Sequence, residues 1–97
     1  MPSYVTLMNW TDQGIKSFKD TVERYEAAEA AYAQAGITTK EIYWTVGAYD
    51  LVSIVEAPDD ETLAASMLTL GAQGNIRTST LRAFTAEEMK NIIAKTS

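Results

Sequence analysis

Residues 38–46 and 49–56 are two β-rich runs separated only by Gly47-Ala48, and this spacing constrains the fold more than any other feature of the chain. Glycine at the first central position suits a type II′ turn, which joins neighbouring antiparallel strands directly. Ahead of the hairpin, Tyr4-Val5-Thr6-Leu7-Met8-Asn9-Trp10 has the β-branched and aromatic content of a strand and stops at the polar Thr11-Asp12-Gln13-Gly14. From Ile15 the apolar period changes to threes and fours through Phe18, Val22, Tyr25, Ala28 and Tyr32. This predicts one long amphipathic helix ended by Gly36. After the hairpin, Ala57-Pro58 closes the strand, and Asp59, Asp60 and Glu61 place negative charge at the positive end of a second helix carrying Leu63, Met67 and Leu70. That helix stops at residues 71–74, and residues 76–84 read as a fourth strand. A last helix starts with a capping box of Thr85 and Glu88 and a hydrophobic staple of Phe84 and Met89.

The order is βαββαβ with an added C-terminal helix, which predicts a single α+β domain over residues 1–97. Right-handed crossovers lead to a ferredoxin-like antiparallel sheet in the order 4-1-3-2, with both main helices on one face. Pairing Val5 with Ile54 and Leu7 with Val52 gives an apolar surface that is expected to face the helices, and it sets Asn9 beside Asp50. Tyr4, Met8, Trp10, Tyr49, Leu51 and Val55 then fall on the opposite surface, joined by Ile42, Trp44 and Val46. So large an apolar patch needs a cover. The expected cover is a second copy stacked sheet to sheet, in a homodimer or a higher oligomer, with Met8, Trp10, Trp44 and Leu51 at the interface. The alternative is that the C-terminal helix folds over that face.

Composition removes several functional classes. Eight Lys and Arg against thirteen Asp and Glu give a formal net charge of -5, which opposes binding to nucleic acid and to anionic membrane surfaces. Aromatics on the first and third strands superficially suit base stacking, but Tyr49-Asp50-Leu51-Val52-Ser53-Ile54 lacks a basic, glycine-rich lead-in. The chain has no cysteine and no histidine. Thiol nucleophiles, disulfides, imidazole bases and the commonest transition-metal ligands are therefore absent, and neither a metal nor a cofactor is expected. Asp59-Asp60-Glu61 reads as helix-terminal charge and not as a metal site. The absence of a leader pattern and of any long apolar run leads to the expectation of a cytoplasmic protein.

In the 4-1-3-2 order, one rim of the sheet gathers residues from four separated stretches. Asn9, Trp10, Thr11, Tyr49, Asp50, Asn75 and Arg77 are the candidate ligand-binding residues, with Asp12 and Gln13 nearby at the start of the first helix. The free N–H groups of that helix and the Arg77 guanidinium would attract a carboxylate or similar anion. Asp50 has two readings. It is the candidate catalytic base of a cofactor-independent reaction, or it accepts hydrogen bonds from Thr11 and the helix backbone and holds the turn shut. Trp10 and Tyr49 are likewise either ligand contacts or cross-strand packing partners.

The segments Tyr4–Gly14, Gly47-Ala48-Tyr49-Asp50-Leu51-Val52, Glu56-Ala57-Pro58-Asp59-Asp60 and Gly74-Asn75-Ile76-Arg77-Thr78 resemble the GYD domain family, named for the Gly-x-Tyr-Asp element at Gly47, Tyr49 and Asp50. The resemblance covers nearly the whole chain and implies a dimeric α/β barrel of the ferredoxin-like group. It transfers no catalytic residue. The expected function is a small homodimeric domain that binds a small anionic or carbonyl-bearing molecule at the rim. The alternatives are a cofactor-independent monooxygenase-like or isomerase-like enzyme, and a structural or regulatory interaction module.

Overall fold

In the computed structural model, which describes residues 1–96, a β-branched and aromatic strand, β1 (Ser3–Trp10), lies inside a four-stranded antiparallel sheet. It is flanked by β3 (Leu51–Glu56) and β4 (Ile76–Ala83), and β2 (Thr38–Trp44) pairs with the far side of β3. The order β2-β3-β1-β4 is the expected ferredoxin-like arrangement. The register also agrees, with Val5 opposite Ile54 and Leu7 opposite Val52.

The two faces are exchanged relative to the sequence expectation. Tyr4 (3% exposed), Met8 (6%), Leu51 (2%) and Val55 (3%) lie beneath the helices. There they form two clusters with Ile37, Ala57, Leu63 and Ile76, and Tyr32, Met67 and Leu70 close over them. Val5, Leu7, Val52 and Ile54 fall on the opposite, open face. The handedness of the crossovers decides on which side of the sheet the helices fall, and the pleat then decides which residues they cover. Both phases of β1 are apolar, so alternation alone does not separate them. Met8 and Leu51 are therefore core residues and not interface residues. Trp10 packs against the same cluster. Trp44 meets Tyr25 edge to face at 5.7 Å, and its Nε1 donates to Thr21 Oγ1 at 3.0 Å.

The expected long first helix is broken into α1 (Asp12–Lys16), a 3-10 turn (Phe18–Asp20) and α2 (Thr21–Gln34). The break falls at Ser17, where φ is -109° and ψ is 34°. Arg24 reaches back from α2, its Nη1 donating to Ser17 O at 2.7 Å and Ser17 Oγ at 2.9 Å and its Nη2 to Gly14 O at 3.3 Å. Carbonyls left open by the break are thus satisfied by a side chain, which is how an interrupted helix end escapes its penalty. The hairpin also differs. Its ladder ends at Trp44 and Leu51, followed by one further bond from Thr45 N to Asp50 O at 2.8 Å, so a wider loop replaces the tight turn.

The last two helices follow their start signals. Asp59 caps α3 (Asp60–Ala72) by accepting from Thr62 N at 2.7 Å. Thr85 and Glu88 form the expected reciprocal box on α4 (Ala86–Ala94), at 2.9 and 3.1 Å. The backbone N–H of Thr62 holds Asp59 below its ordinary value of 3.8, and that of Thr85 holds Glu88 below 4.5. The C-terminal helix does not cover the sheet. It has no appreciable packing against any other element, and the molecule extends over 51 × 30 × 19 Å. The radius of gyration is 14.6 Å, against about 12.5 Å for a compact chain of this length. Phe84 and Met89, the expected staple pair, are both partly exposed, and Phe84 carries the Arg82 guanidinium 4.5 Å above its ring.

Two outcomes test this arrangement. Leu51→Ala should cost about 2–5 kcal/mol in chemical denaturation, the value for a buried leucine. Because the folded values of Asp59 and Glu88 are depressed, their contribution is full above the unfolded values and is lost as pH falls through the folded ones. Amide protection factors at the starts of α3 and α4, corrected for the intrinsic exchange rate, should therefore fall as the pH is lowered through the carboxylate range.

Candidate functional site

The rim assembles because the loop before β4 and the hairpin loop are both tied to the end of β1. Thr11 caps α1, accepting from Gly14 N at 3.1 Å, while its own hydroxyl donates to Gly74 O at 2.5 Å and its backbone N to Asn75 O at 3.1 Å. Gln13 Nε2 adds bonds to Asn75 Oδ1 at 2.9 Å and Gln73 O at 3.2 Å. Gly14 is required here by space, because a Cβ at that position would stand 2.0 Å from Asn75 O. Asp50 ties the hairpin loop to the same point. Its Oδ2 accepts from Trp10 N at 2.9 Å, and its backbone N donates to Met8 O at 2.9 Å. Asn9, oriented by its hydrogen bonds, donates to Met8 O at 3.1 Å and Ala48 O at 3.0 Å.

Asn9, Trp10, Thr11, Asp50 and Asn75 are thus brought together, but as a latch whose polar groups bind one another. Asp50 holds the backbone, although its donor is Trp10 N and not the expected Thr11 or α1 N–H groups. Helix α1 is five residues long and its Gly14 N–H is already used, so it offers no anion-binding terminus. Tyr49 stands on the loop with its ring exposed and its carbonyl accepting from Thr45 Oγ1 at 2.5 Å. Arg77 lies opposite Asn9 in the β1–β4 register, but its Nη1 reaches towards α3, 3.7 Å from where a Cβ of Gly71 would stand. There it lines a groove between α3 and the edge strand β4, together with Arg82. At the other end of that groove the buried Tyr4 hydroxyl donates to Asp60. Burial first, and Asp60 second, push the Tyr4 phenol above its ordinary value.

The unpartnered surfaces are elsewhere. Val5, Leu7, Val52, Ile54, Leu81 and Tyr43 share the open sheet face by register. Ile54, Leu81 and Tyr43 are among its exposed members, and Met89 and Ile93 are exposed on the projecting α4. Sequence reasoning assigned the open face to the wrong phase. The signal it lacked is the path of the chain from β1 into α1, since both phases of the strand are apolar.

The chain matches the GYD domain family model over residues 4–93. It is 32% identical over 90 residues to a Thermus thermophilus protein named glutamine synthetase and cystathionine beta-lyase binding protein, spanning 92% of this chain and 95% of that one. It also superposes on a Thermus thermophilus protein solved by crystallography, with a TM-score of 0.55 and 30% identity over 89% of this chain and 96% of that one.

The latch predicts its own mutational response. Gly14→Ala forces α1 off the Asn75 backbone and should lower stability by about 3 kcal/mol or more. Asp50→Ala, which leaves Trp10 N without its acceptor, should cost about 1–3 kcal/mol, and Asp50→Asn, which keeps an acceptor, should cost less. Urea denaturation of the three variants measures both.

Proposed function

Because the chain belongs to the GYD domain family, we propose that it is a homodimeric interaction domain that binds to metabolic enzymes and carries out no chemistry of its own. The observation that carries this reading is the similarity, over 92% of the chain, to a relative named for binding glutamine synthetase and cystathionine beta-lyase. The surfaces support it. An apolar sheet face and an amphipathic helix without a packing partner are features of a protein that completes its core against another chain. Dimerisation through Val5, Leu7, Val52 and Ile54 uses one self-complementary surface under a two-fold axis and closes the two sheets into an α/β barrel. The rim supports no competing catalytic reading, since the Asp50 carboxylate is engaged by the backbone of Trp10. No helix of the described residues is long and apolar enough to cross a membrane. A cytoplasmic location, shared with such enzymes, is part of the proposal.

The assembly step is tested by Ile54→Arg, which sets a charge in the middle of the open face without touching the core. Wild type should sediment as a dimer at about micromolar concentration and the variant as a folded monomer. The recognition step is tested by calorimetry with purified glutamine synthetase and, separately, cystathionine beta-lyase. Saturable binding to either enzyme supports the proposal, and no heat with both contradicts it.

A further inference from the structure

The two edges of the sheet differ in kind. At the β2 edge the ladder is interrupted by a register shift between Thr39 and Glu41, and Lys40 stands at the irregularity. Bulges and lysines of this sort discourage a further strand from pairing. The opposite edge, β4, runs for 8 residues with no register shift and no proline, and among the described residues it pairs only with β1. Alternate residues of β4 therefore turn their N–H and C=O groups outward without a strand to receive them.

Beside this edge α3 does not close on the sheet but leaves a groove of about 660 Å³, within the range of about 300–1,000 Å³ typical of ligand pockets. Its α3 wall is apolar, with Ala64, Met67 and Leu68, and Leu68 is 76% exposed. Its β4 wall is Thr78 and Thr80, which take the helix-facing phase opposite Met8 and Thr6. A strand added to β4 would turn every second side chain into this groove, against Leu68 and Met67.

The ends of the groove differ in charge. At one end Asp60 accepts from the buried Tyr4 hydroxyl. The Arg82 guanidinium on that side is already used, donating to Ser3 O at 3.2 Å and to Ala83 O and standing 3.9 Å from Glu88. At the other end Arg77 has the open-face phase, opposite Asn9, yet its Nη1 comes round the edge to Gly71. It forms no hydrogen bond or ion pair with a described residue. From Arg82 to Arg77 the edge spans about 16 Å at the rise of a strand, the length of five or six extended residues.

We infer that this groove is a docking site for the extended C-terminal segment of another protein, added antiparallel to β4. Backbone hydrogen bonds to the β4 edge hold the segment, apolar side chains at alternate positions fill the groove, and the terminal carboxylate pairs with Arg77. The direction follows from the chain. Every pairing in the sheet is antiparallel and β4 runs from Ile76 to Ala83, so a strand continuing the pattern ends beside Arg77. The inference rests on the interaction reading above only in taking a protein as the partner, and the groove is separate from the open sheet face.

The probe is an acetylated hexapeptide with threonine at its odd positions, valine at the second and fourth and leucine at the sixth. It is made once with a free C-terminal carboxylate and once as the amide. Each is titrated into the isotope-labelled full chain and followed by amide chemical shifts. The acid should give saturable shifts along β4 and on α3 around Leu68, with Kd on the order of 100 µM. The amide should bind at least about fivefold more weakly. Arg77→Gln should weaken the acid to the level of the amide and leave the amide unchanged, a selective loss that a general structural effect would not produce. Leu68→Glu, at an exposed helix position outside the core, should weaken both peptides at least about fivefold. Four results overturn the inference: no saturable shift up to about 2 mM acid, shifts centred on Val5, Leu7 and Ile54, equal binding of acid and amide, or binding unchanged in Leu68→Glu. None of these readouts requires the dimer or the two enzymes, so this inference and the proposed function fail separately.

Discussion

The helices cover Tyr4, Met8, Leu51 and Val55, and the period of two along β1 and β3 then leaves Val5, Leu7, Val52 and Ile54 no place but the other side of the sheet. Every other property of the molecule follows from that phase. It places Leu63, Met67 and Tyr32 over the sheet and packs the tryptophan-bearing end of β2 against α2. It also leaves a second apolar surface that this chain does not cover. The face without helices is the one through which the proposed dimer would close.

Much of the fold was legible because its signals are local. Thr85 and Glu88 announce α4, Asp59 announces α3, and the Val5–Ile54 register follows from matching apolar patterns. The exchanged faces were not legible, because Val5 and Leu7 are as apolar as Tyr4 and Met8, and the choice between them is made by crossover handedness acting at a distance. The break at Ser17 was hidden for a similar reason. The helical period runs through it without interruption, and it is forced by contacts made much later in the chain, at Asn75. At the rim, the sequence correctly gathered Asn9, Thr11, Asp50 and Asn75 but not their use, since hydrogen bonding among themselves leaves no signature different from that of a ligand site.

The polar residues of the chain therefore divide into two groups. At the rim they close on one another and fix the geometry of β1, α1 and the hairpin loop, which holds the open sheet face in a defined shape. Buried polar atoms without a protein partner occur in both places, at the Thr6 hydroxyl in the core and at the Trp10 indole Nε1 beside the rim. The open face has the opposite character, being broad, apolar and bordered by the projecting α4, and such a surface suits another protein chain.

Small-angle X-ray scattering on the unmodified chain at about 100 µM is the most direct measurement of whether the open face is an interface. The account predicts a scattering mass twice the 10.6 kDa of one chain, with a curve described by two sheets stacked through Val5, Leu7, Val52 and Ile54. A mass of 10.6 kDa together with a radius of gyration near 14.6 Å would contradict it.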